Sequence, residues 1–246
     1  MRLLVSVRSA AEVAAAAAGG ADIIDAKEPS LGSLGPVSAA TLRAIAQALP
    51  PALSLSVALG DHCDAASVPG AFAALAGLAS HARETYVKLG LASVRDVTGA
   101  ASVIAAAVEA ASRLAGSPAV IVVAYADHAA AAAPRRDVVR RLAAAAGACG
   151  VLLDTCVKDG HDLFHHVGRP ELRRWVIDAK RDGLLVALAG SLSAEAVERI
   201  SDLPGDVVGV RGAACAGGRE GSVTEDRVRR LRSLLDTPVS RPHVAI

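Results

Sequence analysis

The chain repeats one alternation eight times. Short runs rich in Val, Ile and Leu end near Gly, Asp or Lys, and alanine-rich stretches with helical spacing follow them. The strand-like runs are "RLLVSV", "ADIIDAK", "LSLSVALGD", "TYVKLGL", "AVIVVAYAD", "GVLLDTCVK", "LLVALAG" and "DVVGVRG". Between them lie stretches such as "SAATLRAIAQALP", "VTGAASVIAAAVEAASRLAG" and "PELRRWVIDAKRDG", several opening on Ser or Pro and closing on Gly, as helix ends prefer. Continuous apolar runs mark strands buried on both faces of a parallel sheet. Eight such units in a chain of 246 residues predict a single-domain (β/α)8 TIM barrel over residues 1–236. A doubly wound sheet would show a Gly-x-Gly-x-x-Gly turn after its first strand, and "SVRSAAEV" has no glycine there. Residues 237–246, "TPVSRPHVAI", hold two prolines and no helical period and read as a loose tail.

Composition narrows the function. Hydrophobic residues make up 52% of the chain but aromatics only 2%, so small aliphatic side chains must fill the core. The net charge is +1, and without a basic stripe or stacking aromatics no nucleic-acid platform is expected. No apolar run reaches membrane-spanning length without a charge or turn, and no membrane association is expected. The four cysteines, Cys63, Cys149, Cys156 and Cys215, form no C-x-x-C pair; four reduced thiols in a cytoplasmic protein is the plain reading. Alanine-rich helix faces leave a homo-oligomer open without requiring one.

Among 26 basic residues only four are lysines: Lys27, Lys88, Lys158 and Lys180. Lys27 ends strand two, Lys88 lies near the end of strand four and Lys158 closes strand six. In a barrel the chemistry sits at these strand ends, and alternate strands share a layer, so three amines converge on one mouth. Side-chain alternation puts Asp25 on the face of Lys27, and Asp154 on the face of Cys156 and Lys158. Asp127 is a further rim candidate. Arginine serves for salt bridges and phosphate clamps but cannot lose its proton in a protein. Lysine can, if burial and a neighbouring cation lower its pKa, and the free amine can then form a Schiff base with a carbonyl. Each lysine alone is more simply an ion-paired rim residue; three at matching strand ends point to catalysis.

Two glycine-rich segments follow strands seven and eight, "LAGSL" and "GVRGAACAGGREG". Barrels commonly hold a substrate phosphate on the backbone N–H groups of these loops. Gly190, Ser191, Arg211 and Gly212 are the candidate contacts. His161 and His165 stand one helical turn apart, but no third ligand is evident, so no metal site is assigned. "GDHCD" after strand three (Asp61, His62, Cys63, Asp64) reads as a loop cap, and Cys156 as a small core residue without a partner histidine.

The segments "GGADIIDAKEPSLGSLG", "YVKLGL", "LLDTCVKDG", "LAGSL" and "VGVRGAACAGG" together closely resemble the (5-formylfuran-3-yl)methyl phosphate synthase family, also called 4-(hydroxymethyl)-2-furancarboxaldehyde-phosphate synthase. The match runs in order to about Gly221. The family's Asp-Val-Lys motif here carries Ala26, whose side chain points away from Asp25 and Lys27. The resemblance implies a (β/α)8 lyase of methanofuran biosynthesis that joins two molecules of glyceraldehyde 3-phosphate, with loss of phosphate and water. It implies Lys27 as the Schiff-base residue, Lys88 as proton acceptor, Asp25, Asp154 and Lys158 in support, and no cofactor. From the residues alone, another Schiff-base aldolase, a phosphosugar isomerase and a non-catalytic phosphometabolite sensor remain open.

Overall fold

The computed structural model describes residues 1–62, 64–75, 78 and 82–236. Cys63 and the expected tail, residues 237–246, lie outside them. Eight parallel strands close into a barrel in chain order: β1 (Arg2–Val7), β2 (Ile23–Ala26), β3 (Ser54–Asp61), β4 (Thr85–Gly90), β5 (Ala119–Tyr125), β6 (Gly150–Asp154), β7 (Leu185–Leu188) and β8 (Val207–Val210). The last strand pairs with the first, Val5 opposite Val210. The helices around it are α1 (Ala11–Ala18), α2 (Ala39–Ala48), α3 (Val68–Ala73), α4 (Val97–Ser112), α5 (Arg136–Ala145), α6 (Leu163–His166), α7 (Arg169–Arg181), α8 (Ala194–Ile200) and α9 (Glu225–Asp236). The fold is the expected single-domain TIM barrel. The helix α9 and a small antiparallel hairpin, β9 (Cys215–Ala216) with β10 (Ser222–Val223), were not singled out from the sequence. The helix α9 packs on α1 and α8 and so closes the helical ring.

The local signals explain the elements. Ser38 caps α2 by accepting from the N–H of Thr41, Asp96 caps α4 at Gly99, and Ser193 caps α8 at Ala196. Outward strand residues such as Leu3, Val5, Val87, Leu89 and Val186 are fully buried against the helices. Their partners are often alanines, Ala16, Ala100 and Ala107 among them, which let the helices sit close to the sheet.

The inward positions place the chemistry. Following the strand pairings round the barrel, with the stagger a closed barrel requires, alternate strands contribute layers of four. Asp25, Lys88, Leu152 and Gly209 form one layer. Ser6, Ala58, Val123 and Ala189 lie above it. Lys27, Gly90, Asp154 and Arg211 form the mouth. Gly90 is required there, because a Cβ would fall 2.0 Å from Asp61 Oδ1 and 2.7 Å from the Tyr125 hydroxyl.

One strand boundary differs from expectation. The strand β6 stops at Asp154, so Lys158 does not close it and Cys156 shares no strand face with Asp154. The cause lies on the neighbouring strand's exit. Both carboxylate oxygens of Asp127 accept backbone N–H groups, from Cys156 and Val157, each at 2.8 Å. That clamp turns the chain over, and Lys158 reaches back four residues to Asp154.

Candidate active site

A cavity of about 320 Å³ opens at the C-terminal end of the barrel and runs down inside it. Lys27, Lys88, Asp154 and Lys158 all line it, as do Gly190, Ser191, Arg211 and Gly212. Lys27 follows directly on β2 and is only 6% exposed. Its ammonium group has no hydrogen-bonding partner among the described residues, whereas its neighbours are paired. Lys88 Nζ donates to Asp25 Oδ2 at 2.7 Å, and Lys158 Nζ donates to Asp154 Oδ1 at 2.8 Å and to Thr155 Oγ1 at 3.0 Å.

This arrangement separates the ionisation states. Burial, then the Lys88 ammonium, lowers the Lys27 pKa to about 7, and Lys158 adds to the effect; the carboxylates of Asp154 and Asp25 oppose it. For Asp25, burial pushes the pKa up, but the charges of Lys88 and Lys27 and hydrogen bonds from Lys88 and Ser6 outweigh it and hold it below the usual range. Asp154 follows the same balance, with Lys158 and Lys27 overcoming burial. The site thus holds one amine that is substantially neutral near pH 7 between two anchored Lys–Asp pairs. A neutral amine facing such a cavity is equipped to add to a carbonyl.

Asp25 lies under the mouth, fully buried, bound through Oδ2 to Lys88 and to the Ser6 hydroxyl, 2.7 Å each. Asp127, expected at the rim, is not among the residues that line the cavity; it holds the turn that carries Lys158. Cys156 is half-buried, and burial, reinforced by Asp61 and Asp127, raises its thiol to about 11, which leaves it protonated. Asp61 was read as part of a loop cap, but its Oδ1 accepts from the Tyr125 hydroxyl at 2.7 Å and the Ala92 N–H at 2.9 Å. Asp64 does cap its loop, accepting from the N–H of Ser67. The rings of His161 and His165 stack with centroids 3.8 Å apart, and among the described residues no group of three or more His, Cys, Asp or Glu is set to hold a metal.

The β8 loop corrects one expectation. Arg211 lines the cavity, but its guanidinium is fully engaged. It donates to Glu12 through both terminal nitrogens, at 2.6 and 3.1 Å, and to the carbonyls of Ser6, Gly221 and Arg219. All five N–H groups are thereby occupied, so the side chain has none left for a phosphate. The other cation of this loop that lines the cavity is Arg219, which bridges to the β2 loop through the carbonyls of Pro29 and Gly32 and whose other N–H groups have no partner among the described residues. The sequence reading missed Arg219, although it sits inside the glycine-rich segment that the reading singled out. The backbone N–H groups of Gly190, Ser191 and Gly212 have no acceptor among the described residues. Gly190 and Ser191 both take positive φ, 107° and 51°, which turns this loop over the cavity.

The molecule is a (β/α)8 barrel with a buried, unpaired amine in its cavity, beneath loops whose backbone N–H groups have no acceptor among the described residues. Comparison with known proteins narrows the class. The sequence profile of the 4-HFC-P synthase family matches residues 3–232. The (5-formylfuran-3-yl)methyl phosphate synthase of Methanothermobacter thermautotrophicus is 38% identical over 242 residues, 96% of this chain and 100% of that protein. The protein of the same name from Methanocaldococcus jannaschii is 35% identical, over 95% of this chain and 99% of its own. The chain belongs to the 4-HFC-P synthase family. Among solved structures, phosphoribosyl anthranilate isomerase from Thermus thermophilus superposes with a TM-score of 0.61 at 18% identity, covering 96% of this chain and 98% of its own; that likeness concerns the fold alone.

Proposed function

We propose that the protein condenses two molecules of glyceraldehyde 3-phosphate, through a Schiff base on Lys27, to (5-formylfuran-3-yl)methyl phosphate. The observation that carries this reading is the unpaired, buried amine of Lys27, with its pKa brought to about 7, facing a cavity ringed by cations. The neutral amine adds to the first aldehyde, and water leaves to give the imine. The protonated imine draws electrons from the adjacent C–H bond, and Lys88 accepts that proton after passing one of its own to the Asp25 carboxylate 2.7 Å away, so that the Lys88–Asp25 pair as a whole gains one proton. The resulting enamine carbon attacks the second aldehyde. Atom balance between two triose phosphates and the furan phosphate requires loss of one phosphate and two waters overall. Lys158 with Asp154, at the mouth, serves the departing oxygens as proton donor, while Asp25 anchors Lys88.

The phosphates lie on the N–H groups of Gly190, Ser191 and Gly212, with Arg219 supplying charge and Arg211 ordering the loop. The imine itself is the electron sink, so no step calls on a metal or organic cofactor. Reduced thiols and diffusible triose phosphates fit a cytoplasmic enzyme, and the furan product fits a role in methanofuran biosynthesis.

The direct test is product analysis. Protein incubated with glyceraldehyde 3-phosphate should release one inorganic phosphate for each furan aldehyde formed, followed by its ultraviolet absorbance and mass. An aldol adduct that keeps both phosphates, or an isomerised triose, would contradict the reading.

A further inference from the structure

We infer that the apolar chamber beneath Lys27, hollowed by Gly209, Ala187 and Ala189, is a subsite for a flat unsaturated ring whose phosphate stays at the mouth. The inference rests on the function proposed above and assigns its ring-forming stage to one part of the cavity. A barrel interior is normally filled by bulky branched side chains in successive layers. Here three of the inward positions on the β7–β8 side, Ala187, Ala189 and Gly209, carry little or no side chain. Leu4 and Leu185 point into the barrel yet are only partly buried, which shows that the space beside them is open.

Gly209 has no backbone reason to be glycine. Its φ is not positive, and a Cβ would lie 3.4 Å from Ala189 Cβ and 3.5 Å from Leu4 Cδ2, close but without collision. What the missing side chain provides is room, in the same layer as Asp25 and Lys88. On this side the wall is aliphatic, formed by Leu4, Leu152, Leu185 and Val207, while Ser6, Ser56, Tyr86 and Lys88 line the opposite side. A triose phosphate carries an oxygen on every carbon and would leave hydroxyls unpaired where it meets the aliphatic side. An aromatic five-membered ring presents two apolar faces and fits it. As water departs and the ring closes, the growing ring moves from the charged mouth into a space that disfavours water.

The test uses two ligands without a carbonyl, so neither can form an imine: furan-3-ylmethyl phosphate and glycerol phosphate. Calorimetry on the wild-type protein should show the furan ligand binding at least about tenfold tighter. Gly209→Val and Ala187→Leu, which fill the chamber from two strands, should each abolish that preference while glycerol phosphate affinity stays within about threefold. Absence of a preference in the wild type, or its persistence in both variants, overturns the subsite. The proposed mechanism is judged separately, by borohydride trapping of glyceraldehyde 3-phosphate on wild-type Lys27. A protein that traps the triose but shows no furan preference retains the mechanism and loses this inference.

Discussion

Lys88 and Asp25 form an ion pair at 2.7 Å, with side-chain exposures of 5% and 0%, inside the barrel that the active-site cavity enters. Breaking such a pair from one side leaves an uncompensated buried charge. Asp25→Asn should therefore destabilise the fold by about 3–5 kcal/mol. Asp25→Asn combined with Lys88→Met should recover much of that loss, because both charges are then gone. Denaturant unfolding of the two variants checks this; equal losses for the single and double variants would show that the pair is not coupled. The depressed pKa of Asp25 also ties stability to acid. Its contribution is present above the ordinary carboxylate pKa and is lost as pH falls through the lower folded value.

Lys27 has the opposite linkage. Its folded pKa of about 7 lies below the value of 10.5 for a free lysine, so between these values the unfolded chain holds more protons. Stability should rise with pH across that window, and below about 7 the full cost of the buried charge is present. Lys27→Met removes that cost. The variant should melt several degrees above the wild type at pH 6, and the gap should narrow by pH 9.5. A gap that does not change with pH would contradict the depressed pKa.

Glu12 orders the β8 loop from the first helix. Its carboxylate takes Arg211 through both oxygens and also accepts from the N–H groups of Arg8 and Val223. In Glu12→Gln the guanidinium loses its counter-charge and the loop its tether. We expect KM for the phosphorylated substrate to rise about tenfold with kcat much less affected, since uniform binding rather than chemistry is lost. Steady-state kinetics decides it; a fall in kcat at constant KM would place Glu12 in the chemical steps.

Asp127 positions Lys158 without touching the cavity. Asp127→Asn replaces one acceptor of a backbone N–H by a donor and loosens the turn after β6. Misplacing a catalytic group by about 1 Å commonly costs up to about 100-fold in rate. The variant should lose about 10- to 100-fold in furan formation. Imine trapping at Lys27 should remain, because burial and Lys88, the larger influences on that amine, are unchanged.

How far the sequence spoke depended on the range of the interactions involved. The barrel was legible because each strand and helix carries its own local pattern, and Lys27 and Lys88 fall at strand ends that this pattern marks. Lys158 was placed in the correct mouth for a wrong reason. The apolar run "GVLLDTCVK" looks like one long strand, but Asp127, nearly thirty residues earlier, ends it at Asp154. Arg211 and Arg219 sit on one glycine-rich loop, and nothing local says which is free. Glu12, about two hundred residues away, decides it by taking Arg211. Such tertiary pairings leave no periodic trace.

Reductive trapping reads the nucleophilic amine of Lys27 itself. The protein is incubated with glyceraldehyde 3-phosphate, reduced with borohydride, digested and mapped by mass spectrometry across a pH series. We predict one adduct, on Lys27, whose rate of formation rises through pH about 7 and then levels off. An adduct on Lys88 or Lys158 instead, or none on any lysine while the substrate binds, would remove Lys27 from the role of nucleophile.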